Sequence, residues 1–126
     1  MGTIRVCDDI GECTGVWARV VPQRGLFDLW DVRACFQRHY RHRLHFLVAE
    51  GPGGPRGLLP LSYLEDSDSY GYFPGETWSG KTWLEQNALY ADTPETCQEL
   101  LEACPSETLL RYLVPDRPSP TPTWTR

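Results

Sequence analysis

"RLHFLVAEGPGGPRGLLPLSYL", Arg43 to Leu64, decides how this chain folds. Its opening "RLHFLVAE" sets Leu44, Phe46 and Val48 at alternate positions, the period of a strand with one face on a core. "GPGGP" is a dense turn signal. "RGLLPLSYL" then reads as a second strand. Proline carries no amide proton for a ladder, so Pro60 in its interior calls for an edge position or a bulge. "EDSDS" makes another turn, and "YGYF" begins a third strand. The stretch is an antiparallel meander.

Helical patterns lie on either side. Upstream, "TIRVC" alternates Ile4 and Val6 as a short strand, and "DDIGECTGVWARVV" is a weak helix because Gly11 and Gly15 each cost about 1 kcal/mol relative to alanine. "DLWDVRACFQRHYRH" is the strongest helix. There Asp28 suits the cap, Asp31 suits the positive end of the dipole, and Leu29, Val32, Phe36 and Tyr40 fall along one face. Downstream, "TPETCQELLEAC" has Thr93 to cap it, Pro94 in its first turn and a stripe of Cys97, Leu100, Leu101 and Cys104. "TLLRYLV" is a last strand. The order β-α-α-β-β-β-α-β defines an α+β domain over residues 1–114. The proline-rich "PDRPSPTPTWTR", residues 115–126, has little to bury and reads as a disordered tail.

Composition narrows the function classes. A net charge of −5 opposes broad capture of nucleic acid or anionic membranes. No apolar run reaches the ~18–20 residues that span a bilayer, and the N-terminus lacks a basic-then-apolar secretory plan. Five cysteines with no C-x-x-C pair point to reduced thiols, mostly small core residues, in a cytoplasmic protein.

One motif competes with these readings. Gly75, four residues, then Gly80-Lys81-Thr82 satisfies G-x-x-x-x-G-K-[ST], the loop whose amides and lysine cradle phosphates. Lys81 is the single lysine among twelve basic residues. However, Glu76 would set a carboxylate against phosphate, and Trp78 adds bulk where the chain must curl. Too few residues follow for the parallel sheet such enzymes build. Nucleotide binding through GETWSGKT is the minor alternative. The same stretch offers Trp78 and Trp83 as flat walls, with Glu76, Lys81, Glu85, Gln86 and Asn87 as polar groups, the recipe of a small-molecule pocket. These seven are the candidate substrate-binding residues. No catalytic residue is singled out, although Glu76 and Glu85 are general-base candidates if burial raises their pKa.

Other clusters carry less. His39, His42 and His45 stand at intervals of three among arginines that oppose a cation, so a solvated helix end is expected and no metal. Ser62, Ser67, Ser69 and Ser79 lack the G-x-S-x-G elbow.

"LFDLWDVRACFQRHYRHRLHFLVAEGPGGPRGLLPLSYL", followed by "YGYFPGETWSGKTWLEQN", resembles the amino-terminal half of GNAT-fold acyltransferases. The nearest group has two tandem domains and is related to the Fem-type aminoacyltransferases and to acetyltransferases linked with cellulose synthesis. The resemblance covers about residues 4–113, with "GLLPL" a moderately specific motif and the "GETW-GKTWLEQN" block similar to a subgroup signature. It implies a mixed, largely antiparallel sheet with helices packed on it, and transfer of an acyl group from a thioester to an amine. In that family a splayed strand pair and the amides at a helix start hold the coenzyme A pyrophosphate through R/Q-x-x-G-x-G/A. This chain lacks that segment: "GPGGPRG" lies in a hairpin turn, and Thr93-Pro94 opens its helix without glycines. The resemblance therefore implies no cofactor in this chain alone. A second GNAT-like domain or subunit would supply the acetyl-CoA or other acyl-CoA site, and this half would form the wall for a small amine acceptor. The alternative is a non-catalytic small-molecule or protein-binding module.

Overall fold

The computed structural model describes residues 3–23, 28–74, 87–108, 110 and 113–116. Among the described residues the architecture is α+β, with three helices on a mixed sheet of six strands. In chain order the elements are β1 (Thr3–Cys7), α1 (Ile10–Val20), α2 (Trp30–Tyr40), β2 (Arg43–Gly51), β3 (Gly54–Leu64), β4 (Ser69–Tyr72), β5 (Asn87–Ala91), α3 (Pro94–Glu102) and β6 (Leu113–Asp116). The sheet runs β1-β2-β3-β5-β6, with β4 branching from β3. All pairings are antiparallel except β5 with β6.

The meander expected over 43–64 forms the centre. β2 and β3 pair along their whole length around Pro52-Gly53, with a register shift between Ala49 and Glu50. Leu44, Phe46 and Val48 are buried together, as their alternation requires, but so are Leu47 and Ala49 between them. Both faces of β2 are covered. Register explains how: Phe46 sits opposite Pro60 and Leu58 opposite Tyr90, so these side chains share one face. Trp17 of α1 and Trp30 of α2 pack on that face against Phe46. Gly57 belongs to the other face, where α3 lies.

Pro60 occupies neither an outer edge nor a bulge. On the side of β3 away from β2, Gly57 and Leu58 pair with β5 while Leu61 to Leu64 pair with β4. Pro60 stands where one partner gives way to the other. Its carbonyl faces that gap and accepts from the Phe73 amide at 3.0 Å. In a strand the amide of a residue points the same way as its carbonyl, so the proton proline lacks is one that no ladder requires here. The branch makes an internal edge one residue long.

The helices confirm some signals and correct others. α1 is capped by Asp9, whose carboxylate accepts from the Glu12 amide at 2.9 Å, and it buries Cys13, Val16 and Trp17. That burial outweighs the two glycines. α3 has the expected Thr93 cap, accepting from the Thr96 amide at 3.1 Å, with Pro94 in the first turn. Its inner residues are Thr96 and Leu100, while Leu101, placed in the stripe by sequence, is 41% exposed. In α2 the cap position falls on Leu29 with no side-chain bond, not on Asp28. The buried face holds Arg33 and Ala34 beside half-buried Trp30, and Leu29 is exposed. The inward stripe is rotated by about one residue because the aromatic cluster below accepts a guanidinium.

Two boundaries also move. β5 is missing from the sequence-derived order, because five residues adjoining a helix-compatible run carry too weak an alternation to separate. The last strand of the sheet is Leu113–Asp116, so Pro115 and Asp116 belong to it rather than to the tail. Among the described residues no helix is long and apolar enough to cross a membrane.

Candidate functional site

The branch leaves β4 and β5 side by side without a ladder between them, and one side chain joins them. The Tyr72 hydroxyl donates to the Ala88 carbonyl and accepts from the Ala88 amide at 3.2 Å. A phenol thereby does for Ala88 what a neighbouring strand would do, satisfying both backbone groups. Phe73 is held equally firmly. Its ring stacks on Trp30 at 5.3 Å and meets Phe46 edge-on at 5.0 Å, and its carbonyl accepts from Arg33 Nη1 at 2.7 Å.

Arg33 is the exceptional residue. It is 1% exposed, with its guanidinium 4.9 Å from the centre of the Tyr72 ring and 5.9 Å from that of Trp17. Ring faces carry negative charge density, so this sandwich offsets part of the cost of burying a cation. Asn87, fully buried, opens β5 next to Ala88. The junction offers a hydroxyl, a guanidinium and an amide on aromatic walls. All three are buried, and the hydroxyl and the guanidinium are engaged with backbone groups of Ala88 and Phe73.

A second cluster closes the start of α3. Arg56 Nε donates to the Glu50 carbonyl at 2.9 Å, Nη2 to Glu99 Oε1 at 2.9 Å, and Nη1 to the Thr96 hydroxyl, with Asp92 3.9 Å away. Beside it, a methyl group on Gly57 would lie 2.8 Å from Thr96 Cγ2, 2.9 Å from the Tyr90 carbonyl oxygen and 3.1 Å from Leu100 Cδ1. Only glycine lets α3 approach β3 so closely. "GLLPL" thus has a physical content: Gly57 seats the helix, and Pro60 falls where the sheet branches.

Of the candidates read from sequence, Asn87 is the one described, and it is brought to this junction. Glu76, Trp78, Lys81, Trp83, Glu85 and Gln86, with the whole of the Gly75–Thr82 motif, lie outside the described residues. The histidines separate. His39 is exposed, His42 is half-buried with Nδ1 3.6 Å from Glu65, and His45 lies in β2 against Tyr70 at 4.8 Å. His45 falls in the strand after the helix, as its place in "RLHFLVAE" requires, and the solvated helix end holds for His39 but not for half-buried His42. Burial lowers the His45 pKa below its ordinary value of 6.5. Among the described residues, no group of three or more His, Cys, Asp or Glu side chains is placed to hold a metal. A shallow depression of about 360 Å³ between α1 and the β2–β3 turn is bordered by Arg5, Glu12, Arg19 and Glu50 together with Val16 and Pro55. Arg5 pairs there with Glu50 and, at 3.0 Å, with Glu12, while Arg19 donates to the Gly53 carbonyl at 3.4 Å.

Comparison with protein-family models, with curated proteins and with solved structures found no match. The geometry singles out three residues that sequence reading passed over: Arg33, Tyr72 and Arg56. An arginine on an otherwise apolar helix face was the available signal for Arg33, hidden by the abundance of arginine.

Proposed function

We propose that this chain is the acceptor-side domain of an acyl-CoA-dependent N-acyltransferase, working in the cytoplasm beside a second GNAT-like domain or subunit that holds the cofactor. The chief support is the way the start of α3 is occupied. The parallel β5–α3–β6 unit has the connectivity in which a helix start faces a ligand at the strand ends. Here Thr93 takes the Thr96 amide, Pro94 has no amide to give, and Arg56 spends its guanidinium on Thr96 and Glu99. A helix start filled by its own groups suits the half that shapes an acceptor pocket better than the half that binds pyrophosphate. The residues proposed to contact a small amine are Glu76, Trp78, Lys81, Trp83, Glu85, Gln86 and Asn87.

Calorimetric titration separates the readings. The chain alone is expected to give no saturable heat with acetyl-CoA up to millimolar concentration. Saturable binding at that level or tighter would remove the acceptor-side reading. ATP binding that disappears in Lys81→Ala would replace it with the phosphate loop.

A further inference from the structure

Cys7 is the last residue of β1, and its register partner is Phe46, so its side chain points to the face that α1 covers. Asp9 starts α1 at once, which sets Cys13 on the inner stripe of the helix beside Val16 and Trp17. The two sulfurs end 3.3 Å apart, with the Cys13 thiol 3.5 Å from the Cys7 carbonyl. Both residues are at most 1% exposed. Sequence spacing gave no reason to pair them, since six positions separate them with a strand end and a helix cap between.

We propose that Cys7 and Cys13 form a reversible oxidative modification site, a dithiol that a small peroxide closes to a disulfide. A bond of about 2.05 Å requires the sulfurs to approach by roughly 1.2 Å, within the give of two side chains at element ends. The Cys7 thiol releases its proton to water, and the thiolate attacks one peroxide oxygen. The O–O bond breaks, the departing hydroxide is protonated to water, and Cys7 is left as sulfenic acid. The Cys13 sulfur then attacks the Cys7 sulfur, the S–O bond breaks, and the leaving oxygen departs as water with the Cys13 proton. Two thiols and one hydrogen peroxide give one disulfide and two waters. First attack falls to Cys7 because burial, with donation of the Cys13 thiol proton to the Cys7 carbonyl at 3.5 Å, keeps Cys13 protonated.

Access selects the oxidant. Asp8 to Glu12 are all exposed, so fraying of the first turn of α1 admits a molecule of peroxide size while bulky aromatic disulfides stay out. Exposed Cys35 has the opposite character: open to any reagent and with no thiol partner among the described residues.

The test is peptide mass mapping of the native full chain after hydrogen peroxide, with remaining thiols blocked by alkylation in denaturant. Cys7 and Cys13 share the tryptic peptide Val6–Arg19. The expected product is that peptide about 2 Da lighter, unalkylated, and restored by dithiothreitol, in at least roughly tenfold excess over any other cysteine pair. Cys7→Ser should leave Cys13 unable to close, and the light peptide should vanish. Should that variant misfold, the wild-type map decides by itself. Full alkylation of both cysteines after Cys35 has oxidised, or their conversion to sulfinic acid without a light peptide, would overturn the proposal. So would reaction of the pair with an aromatic disulfide as fast as Cys35.

Discussion

The two ends of β3 are built on opposite plans. At the Gly57 end the strand is pressed between β2 and β5, α3 sits directly on its backbone, and Arg56 ties strand to helix. At the Tyr63 end the packing on the strand is made by side chains of β2 and β4. Tyr63 and Tyr70 lie 5.1 Å apart, His45 meets Tyr70, and Arg43 leans over Tyr63 at 5.5 Å. The first end depends on a side chain being absent, the second on large side chains being present. Tolerance to substitution should follow that division. An error at a close-packed backbone contact has nowhere to relax, whereas an error among half-exposed rings is absorbed by solvent.

The largest effect is expected for Gly57→Ala. Relief of backbone entropy in the unfolded chain favours the change by about 0.4–1 kcal/mol. Overpacking costs about 1–3 kcal/mol and reaches its upper range here, because one clashing atom is the Tyr90 carbonyl on the paired strand. A net loss of about 2 kcal/mol should appear as a lower urea midpoint at constant slope. Thr96→Ser in the same chain removes the Cγ2 methyl and keeps the hydroxyl that Arg56 uses. It should recover part of the loss and leave the part due to Tyr90. Full recovery would show that the helix alone sets the requirement for glycine.

Tyr72→Phe comes next. It strips both backbone groups of Ala88 of their partner at the branch, and a buried group left unsatisfied costs about 1–3 kcal/mol. Hydrogen exchange at the Ala88 amide should quicken beyond the change in global stability. Equal exchange in both proteins would mean that β5 is held from elsewhere.

The smallest effect belongs to the open end. His45 has a folded pKa below its ordinary value, so the unfolded chain binds the proton more readily. Its contribution is complete above about pH 6.5 and is lost as pH falls through the lower folded value. His45→Asn should flatten the stability profile in that window and change little at pH 8. A profile unchanged by the substitution would place the acid-sensitive group elsewhere.

Sequence carried the centre of the fold well. Alternation in 43–64 and the Thr93-Pro94 start required no knowledge of partners, because period and cap chemistry are local. What stayed hidden was non-local. Pro60 is tolerated only because two strands share one side of β3, an arrangement set by β4 and β5 together. Arg33 is buried because Trp17 and Tyr72, 16 residues before it and 39 after, close over it. β5 was missed since "NALYA" is short and follows a run that would suit a helix. Of the candidate site, Asn87 was named, while Tyr72 and Arg33 were not, because Tyr72 read as a strand residue at the edge of the polar stretch and Arg33 lies 42 residues or more before it.

The branch at Pro60 also confers modularity. Both ladders on that side of β3 are registered independently, one through Gly57 and Leu58, the other through Leu61 to Leu64. Residues gained or lost between Pro74 and Asn87 therefore shift neither register. The sheet is thus a fixed frame whose two ladders on that side are set separately, each by its own stretch of β3.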